Sequence, residues 1–222
     1  MRMAEGPFDS THGLKYPEKY LKRLSRELTE KFTGVFGEEI VERYVLESYT
    51  ALMRTSAVTT DLVGFTIRFA GDRLTALAQA TGAIDSPVPE LLFVDRSNAS
   101  RSQMVAALAI EMSGEGVQVR SAGITPAASL NHRAVRAMSE IGINIGTGFP
   151  KPLTDDVLQA ADLVVTMDCR ENVPVYEGKA YENWPVGDED ETIEQLRAYR
   201  QGVIPEVAAI LRSLGVDAIT LG

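Results

Sequence analysis

The residues best suited to chemistry lie between a short apolar run and a helical pattern, at residues 95–102. Residues 91–94 are apolar and predict a buried strand, while Met104, Leu108 and Met112 recur at helical spacing. A strand, a loop and a helix in this order direct backbone N–H groups and the positive end of the helix dipole at one place. Arg101, at the helix start, adds a planar set of donors that matches phosphate or arsenate. The sequence therefore predicts an oxyanion cradle.

This stretch resembles the active-site loop of the low-molecular-weight tyrosine phosphatase family, and most of all its arsenate reductase branch, with the pattern V-C-x-x-N-x-x-R-S-Q-M. The matching residues are Val94, Asn98, Arg101, Ser102, Gln103 and Met104. Asp95 stands where the family has its nucleophilic cysteine, with the spacing to Arg101 intact. The resemblance implies ligand-binding residues at Arg96, Ser97, Asn98, Ala99, Ser100, Arg101 and Ser102.

Four further segments extend the resemblance over about residues 90–214. They are residues 121–123 (S-A-G), residues 148–154 (family H-x-P-K-x-L-T, without the histidine), residues 165–174 (V-T-M-G-C-x-x-x-C-P) and residues 181–189. Cys169 keeps the first cysteine of the family's redox relay, Val173 stands at the second, and Asp168 replaces a glycine. Asp188 occupies the position of the general acid, although Glu189 replaces the proline that follows it.

These departures change the expected chemistry. One thiol cannot form an intramolecular disulfide, so thiol-coupled arsenate reduction is not expected, and neither is cysteine-based phosphatase activity. We expect the Asp95 carboxylate to fill the cradle, to accept the loop N–H bonds and to pair with Arg101, which would lower its pKa. It would then compete with any bound oxyanion. The favoured interpretation is a divergent arsenate reductase-like or phosphatase-like protein that keeps the loop without its reaction.

Several alternatives stay open. Asp95 and Asp188 could act as acid and base on a neutral or cationic substrate, with Asp168 on the same rim. The chain could be a non-catalytic interaction module, or an engineered form with aspartate in place of cysteine. Aspartyl-phosphate chemistry is less favoured, because it normally uses magnesium and no metal pattern is evident. Cys169 could be a redox group, but a lone cysteine is more often a small buried residue.

The elements that must position this loop form two domains. Residues 1–82 predict a three-helix bundle: one helix from Pro17 to about residue 33, one from residue 38 to about Arg54, and one capped by Thr59 or Thr60. The bundle resembles the N-terminal extension of some actinobacterial arsenate reductases. Residues 83–89 carry two prolines and predict a linker.

Residues 90–222 alternate strands and helices. This pattern predicts a phosphatase-like parallel sheet with helices on both faces and a site at the carboxyl ends of the strands. Asn131 is the expected cap of one of the helices, and Pro205 is expected to kink or interrupt the last one.

Composition limits the partners. The net charge of −9 argues against nucleic acid, and no apolar run is long enough to span a membrane. One cysteine and two distant histidines predict no metal site, and no cofactor is expected. We expect a cytoplasmic protein that binds a small molecule in the loop pocket. The helical bundle is the expected contact for a homodimer or a protein partner.

Overall fold

The computed structural model describes residues 17–55, 61–186 and 192–221, and the chain divides into two compact units, Met1–Asp85 and Ser86–Gly222. The first unit contains α1 (Pro17–Lys31), α2 (Glu38–Thr55) and α3 (Leu62–Ala80), which pack on one another. Their shared core contains Leu24, Leu28, Phe32, Val41, Val45, Ala70 and Leu74. The three predicted helices are confirmed to within a few residues at their ends. Thr59 and Thr60, the expected caps of α3, lie outside the described residues.

The second unit is a four-stranded parallel sheet with helices. Its elements in chain order are β1 (Glu90–Asp95), α4 (Arg101–Ser113), β2 (Gln118–Gly123), α5 (His132–Ser139), α6 (Asp155–Ala160), β3 (Leu163–Met167), a short 3-10 helix (Arg170–Asn172), β4 (Ala180–Trp184) and α7 (Ile193–Ser213). The strand order is β2-β1-β3-β4. The predicted parallel α/β fold is therefore confirmed, with β1 between two neighbours.

The two faces of the sheet bury alternate side chains of β1. Leu91 and Phe93 face a core formed with α4, α5 and α7, which includes Met104, Leu108, Met138, Leu196 and Val207. Leu92 and Val94 are equally buried and point to the opposite face, where α6 contacts β1. Because both faces of the sheet are covered at β1, a ligand can contact this strand only at its carboxyl end, at Asp95.

Glu90 was excluded from the predicted strand, and this prediction was wrong. Glu90 is the first residue of β1, is fully buried and forms an ion pair with Arg120 on β2. A charged residue is tolerated there because its charge is paired and its neighbour strand supplies the partner. Sequence periodicity cannot show this pairing, since Arg120 lies thirty positions away.

Pro205 was expected to kink or interrupt the last helix; α7 is not interrupted and runs from Ile193 to Ser213, while the kink stays a prediction. Val203 and Val207 on either side of Pro205 are buried in the core, and this packing holds the helix through the proline. Asn131 caps α5 as predicted, with its side chain accepting a bond from the Arg133 N–H. The sequence prediction missed α6, a helix of only six residues.

Candidate functional site

The loop after β1 is held from outside by its carbonyl groups. The carbonyls of Asp95, Arg96, Ser97 and Ala99 accept bonds of 2.8–3.1 Å from backbone N–H groups in the segment that follows β2, at Ile124, Thr125, Ala127 and Asn131. On the inner side, the N–H groups of Asn98 and Ser102 point at the Asp95 carboxylate. This is the local arrangement that an oxyanion cradle requires.

Asp95 ends β1, and its carboxylate occupies the interior of this loop. One oxygen accepts a short bond from the N–H of Asn98, and the other accepts a bond of 3.1 Å from the N–H of Ser102. Ser102 belongs to the first turn of α4, whose first N–H groups have no partner within the helix. The two oxygens of Asp95 therefore accept bonds from N–H groups that a bound oxyanion would need as donors. The predicted ion pair between Asp95 and Arg101 stays a prediction.

The predicted lowering of the pKa of Asp95 was wrong. Burial is the largest influence and raises the pKa of this carboxyl above its usual 3.8. Hydrogen bonds from Ser102, Asn98 and Ser97 act in the opposite direction without reversing the result. Only 6% of the residue is exposed, so the charged form loses most of its hydration. The carboxyl consequently keeps its proton to higher pH than an ordinary aspartate does.

Asn98 fixes the shape of the loop. It has a positive φ of 49°, which asparagine tolerates better than most residues, and it is fully buried. Its side-chain amide donates to the Ser102 hydroxyl at 3.0 Å, and its side-chain oxygen accepts from the Gln103 amide and the Lys151 N–H, both at 3.1 Å. Asn98 thus ties the loop to α4 and to the segment before α6.

Gly123, at the end of β2, is in close contact with the same loop. A Cβ atom at this position would lie 2.9 Å from the Cβ of Asn98 and 3.0 Å from the backbone carbon of Ser97. Real Cβ atoms do not approach so closely, so any larger residue would push the loop out of place. This close approach explains the glycine of the S-A-G segment in physical terms.

The remaining loop residues differ in exposure. Arg96 is exposed, Ser97 and Ser100 are half-buried, and Ala99 is buried. Arg101 begins α4 and is 9% exposed, with its guanidinium over the Tyr199 ring, 5.4 Å from the ring centroid. Tyr199 was not predicted as a site residue. Its position three residues after Leu196 and four before Val203, on the buried side of α7, was the signal that could have identified it.

Cys169 is buried behind the loop rather than on its rim. Its thiol donates to the Val94 carbonyl at 3.3 Å, one residue before Asp95. Burial is the largest influence on the pKa of Cys169 and raises it, and the negative charge of Asp95 acts in the same direction. The thiolate is therefore disfavoured, which makes this a poor environment for redox chemistry.

Asp168 lies beyond the end of β3 with a positive φ of 51°, and one of its carboxylate oxygens accepts a bond of 2.9 Å from the Val186 N–H. It is exposed and positions the chain after β4. Asp188, the expected general acid, lies outside the described residues. The structure thus brings together Asp95 and residues 96–102, and adds Tyr199 to them.

Within residues 17–55, 61–186 and 192–221, no group of three or more His, Cys, Asp or Glu side chains is placed to hold a metal ion. No helix in those ranges combines the length and the apolar character that a bilayer crossing needs.

Comparison with known proteins identifies both parts of the chain. Residues 90–204 match the low molecular weight phosphotyrosine protein phosphatase family, and residues 21–78 match the protein-tyrosine-phosphatase-like N-terminal domain. An arsenate reductase of Staphylococcus aureus (strain N315) is 33% identical over 114 residues, which cover 48% of this chain and 86% of that protein. An arsenate reductase of Bacillus subtilis (strain 168) is 42% identical over 77 residues, which cover 35% of this chain and 55% of that protein.

Among solved structures, the thioredoxin-dependent arsenate reductase Cg_ArsC1' of Corynebacterium glutamicum is 42% identical, with a TM-score of 0.80. The match covers 89% of this chain and 97% of that one, so it includes both units. The family match over residues 90–204 covers more than half of the chain. The chain therefore belongs to the low molecular weight phosphotyrosine protein phosphatase family, and its relatives include arsenate reductases.

Proposed function

We propose that this chain binds tetrahedral oxyanions in the family's loop without performing the family's thiol chemistry. The observation that supports it is the position of the Asp95 carboxylate, whose two oxygens accept the N–H groups of Asn98 and Ser102. A ligand oxyanion needs the same donors, so the side chain and the ligand compete for one place. Binding therefore requires the Asp95 carboxyl to be neutral or displaced.

The absence of thiol chemistry follows from the two residues that could supply it. A carboxylate at position 95 cannot form the thiophosphate or thioarsenate bond of a cysteine enzyme, because it has no sulfur. Cys169 is the only cysteine of the chain, is buried, and holds its proton against ionisation. It has no second thiol with which to form an internal disulfide.

A second function is favoured by one observation. Asp95 is only 6% exposed, and this burial raises its pKa, as a general acid needs because it must still carry its proton at the working pH. In this interpretation Asp95 donates a proton to a neutral or cationic substrate, and Asp188 accepts one. The second interpretation predicts that Asp95→Asn abolishes turnover, whereas the first proposal predicts that it improves anion binding.

Two assays on the purified full chain test the first proposal. We expect neither thioredoxin-coupled arsenate reduction nor aryl phosphate hydrolysis above background. We expect Asp95→Cys to gain aryl phosphatase activity, because the loop donors and Arg101 would then face a thiolate. Adding Arg101→Ala to Asp95→Cys should remove that gain, which separates it from a contaminating phosphatase.

The result that would refute the proposal is robust turnover by the unaltered chain that disappears in Arg101→Ala. Such activity would belong to this loop and would show that the reaction continues with a carboxylate in place of the cysteine. Activity that persists unchanged in Arg101→Ala would come from another protein.

A further inference from the structure

Tyr199 carries a polar atom that the fold itself does not use. Its hydroxyl oxygen is inaccessible to solvent and has no hydrogen-bond partner among the described residues. A buried hydroxyl without a partner is unfavourable, and phenylalanine would fill the same space without that cost. The hydroxyl is therefore better explained by a partner that arrives with a ligand.

The position of Tyr199 connects it to the cradle. Its ring lies against the Arg101 guanidinium, with 5.4 Å between the guanidinium carbon and the ring centroid. Burial is the largest influence on the pKa of Tyr199 and raises it, while Arg101 lowers it and both Glu206 and Asp95 raise it. Two charges of the loop, Arg101 and Asp95, thus act on this hydroxyl, which remains a donor throughout the ordinary pH range.

The ring is held in this position by the anchoring of α7. Two residues before Tyr199, Arg197 makes two bonds to the Glu140 carboxylate, at 2.8 Å and 2.6 Å. One residue after it, the buried Arg200 donates to the Ala137 carbonyl at the end of α5. The helix therefore cannot rotate easily, and Tyr199 is presented to Arg101 as a fixed group.

We propose that Tyr199 is a binding and specificity residue of the cradle, whose hydroxyl donates a hydrogen bond to an oxygen of a bound tetrahedral oxyanion. This inference rests on the proposed anion-binding function. The aromatic ring holds the Arg101 guanidinium by a cation–π contact, and the hydroxyl supplies a neutral donor beside that charge. A ligand that lacks a free acceptor oxygen on this side would not satisfy the hydroxyl.

The test measures sulfate binding by calorimetry in an Asp95→Asn background, where the competing charge is absent. Adding Tyr199→Phe keeps the ring and its contact with Arg101 and removes only the hydroxyl. We expect sulfate affinity to fall on the order of tenfold, the loss for one hydrogen bond to a charged group. The matched control is Tyr176→Phe in the same background, because the Tyr176 hydroxyl bonds Asp155 at an exposed position. It should leave sulfate affinity unchanged.

A thermal unfolding midpoint separates binding from folding, since a structural role alone would change the midpoint and not the affinity. We expect Tyr199→Phe to unfold at the same or a higher temperature than its parent. Equal sulfate affinity with and without the Tyr199 hydroxyl would overturn the inference and leave the proposed function intact. Failure of Asp95→Asn itself to bind sulfate would overturn the proposed function, and the inference with it.

Discussion

Removing the charge of Asp95 should increase oxyanion affinity, and the size of the increase can be calculated from the site. An ion that accepts the N–H groups of Asn98 and Ser102 must lie where the Asp95 carboxylate lies now. If the ionised carboxylate moves aside but stays within about 4 Å, it repels each unit of charge on the ion by about 4 kcal/mol at an effective dielectric constant near 20. Each unit of charge therefore corresponds to about a thousandfold in affinity.

Sulfate is the appropriate probe, because it stays doubly charged over the pH range of the experiment while phosphate and arsenate titrate. At about pH 8, where sulfate carries two charges, Asp95→Asn should bind it at least about a thousandfold more tightly than the unaltered chain does. Asp168→Asn is the matched control. It removes one carboxylate at the same edge of the sheet, where an oxygen of Asp168 accepts a bond from the Val186 N–H.

The unaltered chain should also approach the affinity of Asp95→Asn as the pH falls. Burial raises the pKa of Asp95, so the carboxyl becomes neutral at a higher pH than an ordinary aspartate. The stability of the folded chain should change with pH in the same direction as its sulfate affinity. The folded state binds this proton more tightly than the unfolded state, so the stability from Asp95 is full below its usual 3.8 and declines as pH rises through the folded pKa. The denaturation midpoint of the unaltered chain should therefore rise relative to that of Asp95→Asn as the pH falls toward 3.8.

Equal sulfate affinity of the two proteins at about pH 8 would refute this reasoning. It would mean that the Asp95 carboxylate neither repels the ion nor competes for its donors. An equal gain from Asp168→Asn would point instead to the overall negative charge of the chain.

Three other experiments test the residues that support the site. Glu90→Gln removes the negative charge that pairs with the buried Arg120 and should lower the free energy of unfolding in urea by about 3–5 kcal/mol. Replacing both residues by leucine should recover much of this loss, and no recovery would argue against the ion pair as its cause. Asn98→Ala removes the bonds to Ser102, Gln103 and Lys151 and should lower the free energy of unfolding by about 2–3 kcal/mol. Asn144→Ala, at an exposed position, should lower it by less than about 1 kcal/mol, and equal losses would contradict the role given to Asn98. Cys169 should not react with a thiol reagent in the folded chain and should react fully in denaturant, and rapid labelling of the folded chain would contradict its buried, protonated state.

The sequence determined the elements and the order of the loop residues. Apolar periodicity is a local property, so it was sufficient to locate β1, α4 and the three N-terminal helices. It was less reliable where a distant residue decided the outcome. Glu90 joins β1 because Arg120 pairs with it, and α7 continues through Pro205 because its neighbours are buried in the core.

Only the tertiary structure decided the direction of the pKa shift of Asp95 and which distant residues lie near the loop. The loop motif indicated that N–H groups would surround position 95, and from this a lowered pKa was expected. The opposite direction results from burial, which depends on all the elements packed around β1 and is invisible in a local pattern. Tyr199 is separated from Arg101 by almost a hundred positions and joins it only because α7 packs against α4. Sequence spacing fixes which residues share an element, and packing between elements fixes which of them meet.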